Sequence, residues 1–203
     1  MTATTQNPEP AASGEVSPAP WHDRLPGGVV VWVFLTAELV TFSMFFVAYA
    51  WTYSANPDVF TESQSHLHRL SATINTAVLL TGSWMAARAV WSNHRGRRAD
   101  LWLWGAAVSG VVFVVLKTVE YAEVLSDGFS MSTNSFWFYY LFVTFMHYLH
   151  VAGGVGIMAV VAVKARRGDY GPANALGVEA AAIYWHLIDV IWLFLFPLVY
   201  LVG

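Results

Sequence analysis

Apolar residues dominate five stretches of the chain, at about 28–53, 70–91, 101–124, 136–163 and 177–202. Each is long enough for a helix to cross a hydrocarbon core of about 30 Å, which takes roughly 20 residues. Backbone groups in lipid must be hydrogen-bonded internally, so each run is expected to be helical. The short alternating strands of a membrane barrel are absent. The pattern predicts an all-α integral membrane protein, a five-transmembrane-helix bundle occupying residues 27–203. Residues 1–26 are rich in Pro, Ala, Ser, Thr and Glu without an apolar run, which predicts a disordered tail. The first apolar run is longer than the core of about 7–15 residues that marks a secretory signal, and is read as a membrane anchor.

Composition agrees with the pattern. Of 203 residues, 57% are hydrophobic and only 11% charged, too few to cover a globular surface. The chain has no cysteine, which removes disulfides, thiolate metal sites and cysteine nucleophiles from its chemistry. A net charge of −3 gives no basis for nucleic-acid binding. The basic residues instead mark topology. Arg24 precedes the first run, Arg95, Arg97 and Arg98 follow the second, and Lys164, Arg166 and Arg167 follow the fourth. The opposite loops hold Asp58, Glu62 and Asp127, with Arg69 their one strong base. The positive-inside rule then predicts a cytoplasmic N-terminus and an external C-terminus.

Charge within hydrocarbon costs at least about 2.5–3.5 kcal/mol, so intramembrane ionisable residues are the informative ones. Glu38, His147, His150, His186 and Asp189 fall about 13–24 Å from the basic-loop ends at a rise of about 1.5 Å per residue, a common layer near mid-membrane. His147 with His150, and His186 with Asp189, are three apart and share a helix side. Three roles are open for this layer: hydrogen-bonding glue between helices, proton handling centred on Glu38, or a metal or haem site. The paired Glu-x-x-His motifs of di-iron bundles are missing, and no metal ligand set is assigned. Arg88 and Glu179, near helix ends, are expected to snorkel to the interface. Lys117 and Glu120, one turn apart, suit an intrahelical ion pair at headgroup level or a lipid contact. Gly105, Gly110, Gly153, Gly154 and Gly156 are expected to permit close helix approach. Trp51, Trp91, Trp102, Trp104 and Trp137 sit at predicted helix ends, as in interfacial belts.

Several segments carry a resemblance. Trp185-His186-Leu187-Ile188-Asp189-Val190-Ile191-Trp192-Leu193 resembles the last helix of subunit III of the haem-copper respiratory oxidases, with its Trp-His-Phe-Val-Asp-Val-Val-Trp-Leu pattern. His147-Tyr148-Leu149-His150-Val151 resembles that family's His-Gly-Leu-His-Val segment, and Glu120-Tyr121 with Asp127-Gly128 its Glu-Tyr and Asp-Gly elements. Glu38 followed by Phe45-Phe46 resembles its Ser-Glu-x-x-Phe-Phe helix, and Ile74-Asn75-Thr76 its Leu-Asn-Thr. Against the seven-helix mitochondrial form the first two helices have no counterpart, so a complete V-shaped lipid cleft is not expected. Thr81-Gly82-Ser83-Trp84 and Phe196-Pro197-Leu198-Val199-Tyr200 are similar to the five-helix accessory proteins of nitric oxide reductases.

The resemblance implies a bacterial plasma-membrane subunit with no catalytic residue and no cofactor of its own. Haem and copper, or non-haem iron, would lie in a catalytic partner subunit. This chain would support that partner's proton uptake and durability and bind membrane lipids. Two other classes stay open from the residues: a stand-alone metal-dependent membrane enzyme built on the polar layer, and a small transporter. The inverted repeat with broken helices that many transporters show is not seen.

Overall fold

Residues 25–202 are described by a computed structural model. Of the tail expected over residues 1–26, residues 1–24, including Arg24, lie outside them, as does the terminal Gly203. Six helices follow in order: α1 Val29–Ala55, α2 Pro57–Gln64, α3 Arg69–His94, α4 Asp100–Ser126, α5 Ser135–Arg167 and α6 Leu176–Tyr200. The five long ones match the five apolar runs and extend them by a few residues at most ends. The eight-residue α2 was not anticipated. Its signal is local: Asn56 precedes Pro57, and proline is well suited to a first helical turn. Its Phe60 is fully buried, edge-on to Tyr49, Tyr53 and Phe136, which pins α2 across one end of the bundle.

Local chemistry sets where α5, the longest helix, begins and ends. Asn134 Oδ1 accepts from the Trp137 amide at 3.0 Å, capping its start. Gly168, at φ 86°, takes the left-handed turn that ends it, just after Lys164, Arg166 and Arg167 in the last turn. Those cations also complement the negative end of the helix dipole.

Helices α3, α4, α5 and α6 pack in a ring, each against the next and α6 against α3, and α1 lies outside it against α5 and α6. Two sets of end contacts fix the directions. At one end His94 Nε2 meets Glu179 Oε1 at 3.0 Å, Glu179 Oε2 accepts from the Gly27 amide, and Asn93 donates to the Gly171 carbonyl. The start of α1, the end of α3 and the start of α6 therefore share the basic-loop end. At the other end Gln64 Nε2 donates to Tyr49 Oη and, at 3.5 Å, to the Leu198 carbonyl, while Asn134 Nδ2 donates to Ser63 Oγ. Each of the five long helices thus runs the full length of the bundle, with α1, α4 and α6 in one direction and α3 and α5 in the other.

Four of these helices, α1, α4, α5 and α6, are long and apolar enough to cross a membrane. The 26-residue α3 equals them in length but is diluted by Asn75, Arg88, Asn93 and small hydroxyl residues, of which Asn75, Ser92 and Asn93 are buried. Close approach is real at three expected glycines. A Cβ on Gly110 would lie 2.5 Å from both Trp185 and Val155, one on Gly154 would reach 2.9 Å from Ile188, and one on Gly105 would meet the Met85 sulfur. Gly153 and Gly156 do not serve this purpose: the first has only an ordinary contact and the second faces open space. Trp137 also departs from expectation. It is fully buried and stacked on Phe129 at 4.2 Å, so it belongs to the core and not to an interfacial belt.

Candidate functional site

The expected polar layer divides into separate groups, and helix geometry explains why. Residues three apart on a helix differ by about 60° in direction, which lets His147 and His150 serve different neighbours. His150 turns to α1, where its Nε2 lies 3.2 Å from Glu38 Oε2, and Phe42 packs edge-on against its ring. Its Nδ1 lies 2.7 Å from the Met146 carbonyl, which can only accept. Nδ1 therefore carries a hydrogen, and Nε2 meets Glu38 across a contact that needs one further proton. That proton makes the pair either imidazolium with carboxylate or imidazole with carboxylic acid. Both side chains keep partial exposure, 25% for His150 and 21% for Glu38, so this contact lies at the α1 face of the bundle.

His147 turns inward. It is fully buried between Phe113 and Trp192, with ring centroids at 5.6 and 5.1 Å, and neither nitrogen has a hydrogen-bond partner among the described residues. His186 faces α3, its Nδ1 2.6 Å from Ser83 Oγ. Asp189 is buried one turn further on, with the same Ser83 hydroxyl as its neighbouring donor. The five groups do not gather at one point: His150 meets Glu38, His147 lies against Trp192, and His186 meets Ser83. Among the described residues no cluster of three or more His, Cys, Asp or Glu could hold a metal ion.

The largest correction concerns Lys117 and Glu120. The ion pair forms, with Nζ and Oε1 2.8 Å apart, but its side chains are 0% and 4% exposed, within the bundle and not at headgroup level. Spacing could reveal the pair; it could not reveal what closes around it. Tyr140 of α5 and Tyr200 of α6 both donate to Glu120 Oε1, at 2.6 and 2.5 Å. Lys117 Nζ also lies 2.5 Å from Tyr200 Oη and within 6 Å of the rings of Tyr121, Tyr140, Trp192 and Tyr200. Three donors therefore meet one carboxylate oxygen, and the cation lies in an aromatic cage, an arrangement that offsets much of the cost of dehydrating both charges.

Glu179 and Arg88 differ from expectation as well. Glu179 does not snorkel: it is 4% exposed and joins His94 and the Gly27 amide. The Arg88 guanidinium lies over Trp91 and Trp102, at 4.3 and 5.3 Å from the ring centres. Tyr140, Ser83 and His94, to which the sequence assigned no role, meet their partners only where separate helices pack together.

A family model for cytochrome c oxidase subunit III matches residues 23–203, the whole of the described bundle. The chain belongs to that family. Its similarity to individual members is distributed over the same region. It is 32% identical to the cytochrome c oxidase subunit 3 of Synechocystis over 177 residues, 86% of this chain and 74% of that protein. It is 27% identical to a probable cytochrome c oxidase subunit 3 of Nocardia farcinica, over the full length of both. It is also 27% identical to a probable quinol oxidase subunit 3 of Staphylococcus haemolyticus, covering 85% and 87% of the two chains. The kinship with nitric oxide reductase accessory proteins draws no support from these relatives. Within the subunit III family the segments that carried the resemblance fall on α1, α3, α4, α5 and α6 in order, and they contribute Glu38, Asn75, Glu120, His150 and Asp189.

Proposed function

We propose that this chain is the non-catalytic subunit III of a haem-copper oxidase in a bacterial plasma membrane, packed against a catalytic subunit that holds the haem and copper. The observation that carries this reading is the family match across every helix of the bundle. In this reading α3 crosses the membrane together with the four more apolar helices, because it runs a similar length between the same two ends and buries Asn75, Ser92 and Asn93. The basic-loop end is cytoplasmic, as the distribution of Lys and Arg favours.

The supporting chemistry lies in this chain's own residues. The Glu38–His150 contact holds one proton at a partly open helix face, a position suited to exchanging it with a proton-consuming partner. The Lys117–Glu120–Tyr140–Tyr200 cluster ties α4, α5 and α6 together. The strongly exposed apolar face of α1, with Val30, Val33, Met44, Val47 and Trp51, is available to lipid or to the partner. The test is to prepare the oxidase complex with and without this chain and follow turnover over time. A catalytic core that loses activity faster without the chain supports the proposal; identical rates and identical decay contradict it.

A further inference from the structure

Helix α1 meets α5 along one narrow seam. Thr52 Oγ1 lies 3.2 Å from Tyr139 Oη, Phe45 packs edge-on against Phe142, and Glu38 meets His150. Glu38 is the tenth residue of α1 and His150 the sixteenth of α5, so the last of these contacts lies well inside both helices. Both of its side chains stay partly exposed. In the membrane reading that opening faces hydrocarbon, which has neither donor nor acceptor for a carboxylate and an imidazole sharing a proton.

A second observation adjoins the first. Leu149, Ala152, Gly156 and Val160, at steps of three or four residues, share an exposed face of α5, and Gly153 borders it. Glycine in an exposed helix interior costs stability relative to alanine, yet nothing among the described residues uses the space: Gly153 has one ordinary contact and Gly156 none. Small residues at successive turns let the backbone of a neighbouring helix approach closely. His150 precedes Gly153 by three residues, so the open side of the Glu38–His150 contact borders this face. A strip shaped for a helix backbone therefore runs beside a polar pair that hydrocarbon cannot serve.

We propose that a transmembrane helix of the catalytic subunit occupies this strip, its backbone close to Ala152, Gly153 and Gly156 and a hydrogen-bonding side chain at the level of Glu38 and His150. A lipid tail has no such group. A second copy of this chain, docked about a two-fold axis, would bring a further carboxylate to a pair that already holds one. A helix of the proton-consuming subunit covers the pair and offers an acceptor for its proton. The assignment rests on the oxidase reading and names the face at which the two subunits meet.

The test uses the whole complex, purified through a tag on this chain in mild detergent, with a benzophenone photo-crosslinker placed in turn at Leu149, at Val160 and, on an exposed face of α4, at Val115. Cross-links from Leu149 and Val160 to one transmembrane helix of the haem-bearing subunit are expected, and none from Val115. Gly156→Leu should lower the amount of catalytic subunit recovered per tagged chain several-fold while leaving the unfolding midpoint of the isolated chain no lower than wild type. Val115→Trp should leave recovery unchanged. Cross-links from Leu149 to a second copy or to lipid alone, or full recovery with Gly156→Leu, would overturn the proposal. If Gly156→Leu does not fold, the cross-links from Leu149 decide. A catalytic subunit that co-purifies but cross-links only to Val115 contradicts the seam and leaves the oxidase reading intact. A wild-type chain with no haem-bearing partner contradicts the oxidase reading, and the seam with it.

Discussion

Glu38 Oε2 and His150 Nε2 lie 3.2 Å apart across the contact between α1 and α5, and the Met146 carbonyl occupies the other nitrogen of the ring. The pair therefore needs one proton to be stable. Glu38→Gln keeps the size and can still donate to Nε2, but it cannot exchange that proton. The variant is expected to assemble normally while oxidase turnover falls. Glu38→Leu should in addition weaken the docking of α1 by about 1 kcal/mol, the worth of an interhelical hydrogen bond in a membrane. Turnover against pH, alongside the yield of assembled complex, separates the two effects. If Glu38→Gln matches wild type at every pH, the contact is structural only.

Lys117 and Glu120 should show the asymmetry of a buried pair. Removing one partner leaves an uncompensated charge among Tyr140, Tyr200 and Trp192, at a cost of about 3–5 kcal/mol. Lys117→Met or Glu120→Leu alone should lower the unfolding midpoint sharply, and the double substitution should recover much of the loss. Thermal unfolding of all three variants in one detergent measures this. Additive losses would show that the two charges act independently.

Gly110 and Gly156 should respond in opposite ways to alanine. At Gly110 a methyl would lie 2.5 Å from the Trp185 ring and from Val155, so Gly110→Ala should destabilise the bundle by about 1–3 kcal/mol, the usual cost of overpacking. At Gly156 nothing lies within 4 Å of the added atom. Gly156→Ala should be neutral or stabilising by up to about 1 kcal/mol through helix propensity. Unfolding midpoints check both.

The absence of cysteine makes the topology testable by single substitutions. Arg95→Cys and Arg166→Cys should react with an impermeant thiol reagent only from the cytoplasmic side, and Ser65→Cys and Ser132→Cys only from outside. Labelling of Arg95→Cys and Arg166→Cys from outside would invert the orientation.

The long helices were readable because hydrocarbon imposes a length and a composition that any single sequence displays. Helix α2 was not, since eight residues with one anchoring side chain, Phe60, give too short a pattern. Within the site, intrahelical spacing exposed Lys117 with Glu120, but Tyr140 and Tyr200 reach that pair only through the packing of α5 and α6 on α4. Depth along each helix placed Glu38, His147, His150, His186 and Asp189 on one level. Depth says nothing of azimuth, and azimuth sends His150 to α1, His147 to Trp192 and His186 to Ser83. Glu179 was misjudged for a related reason: its place near a helix end suggested an interface, whereas the ends of α3 and the start of α1 close over it.

The most direct test of membership in a haem-copper oxidase is to purify this chain by affinity tag from membranes in mild detergent and record reduced-minus-oxidised spectra. The chains that accompany it are identified in the same preparation. A haem spectrum carried by a co-purifying catalytic subunit is expected, in about equal amount with the tagged chain. That spectrum should disappear when the complex is dissociated and the chain isolated. A chain that emerges without any haem-bearing partner, or one that keeps a haem spectrum when isolated, would contradict it.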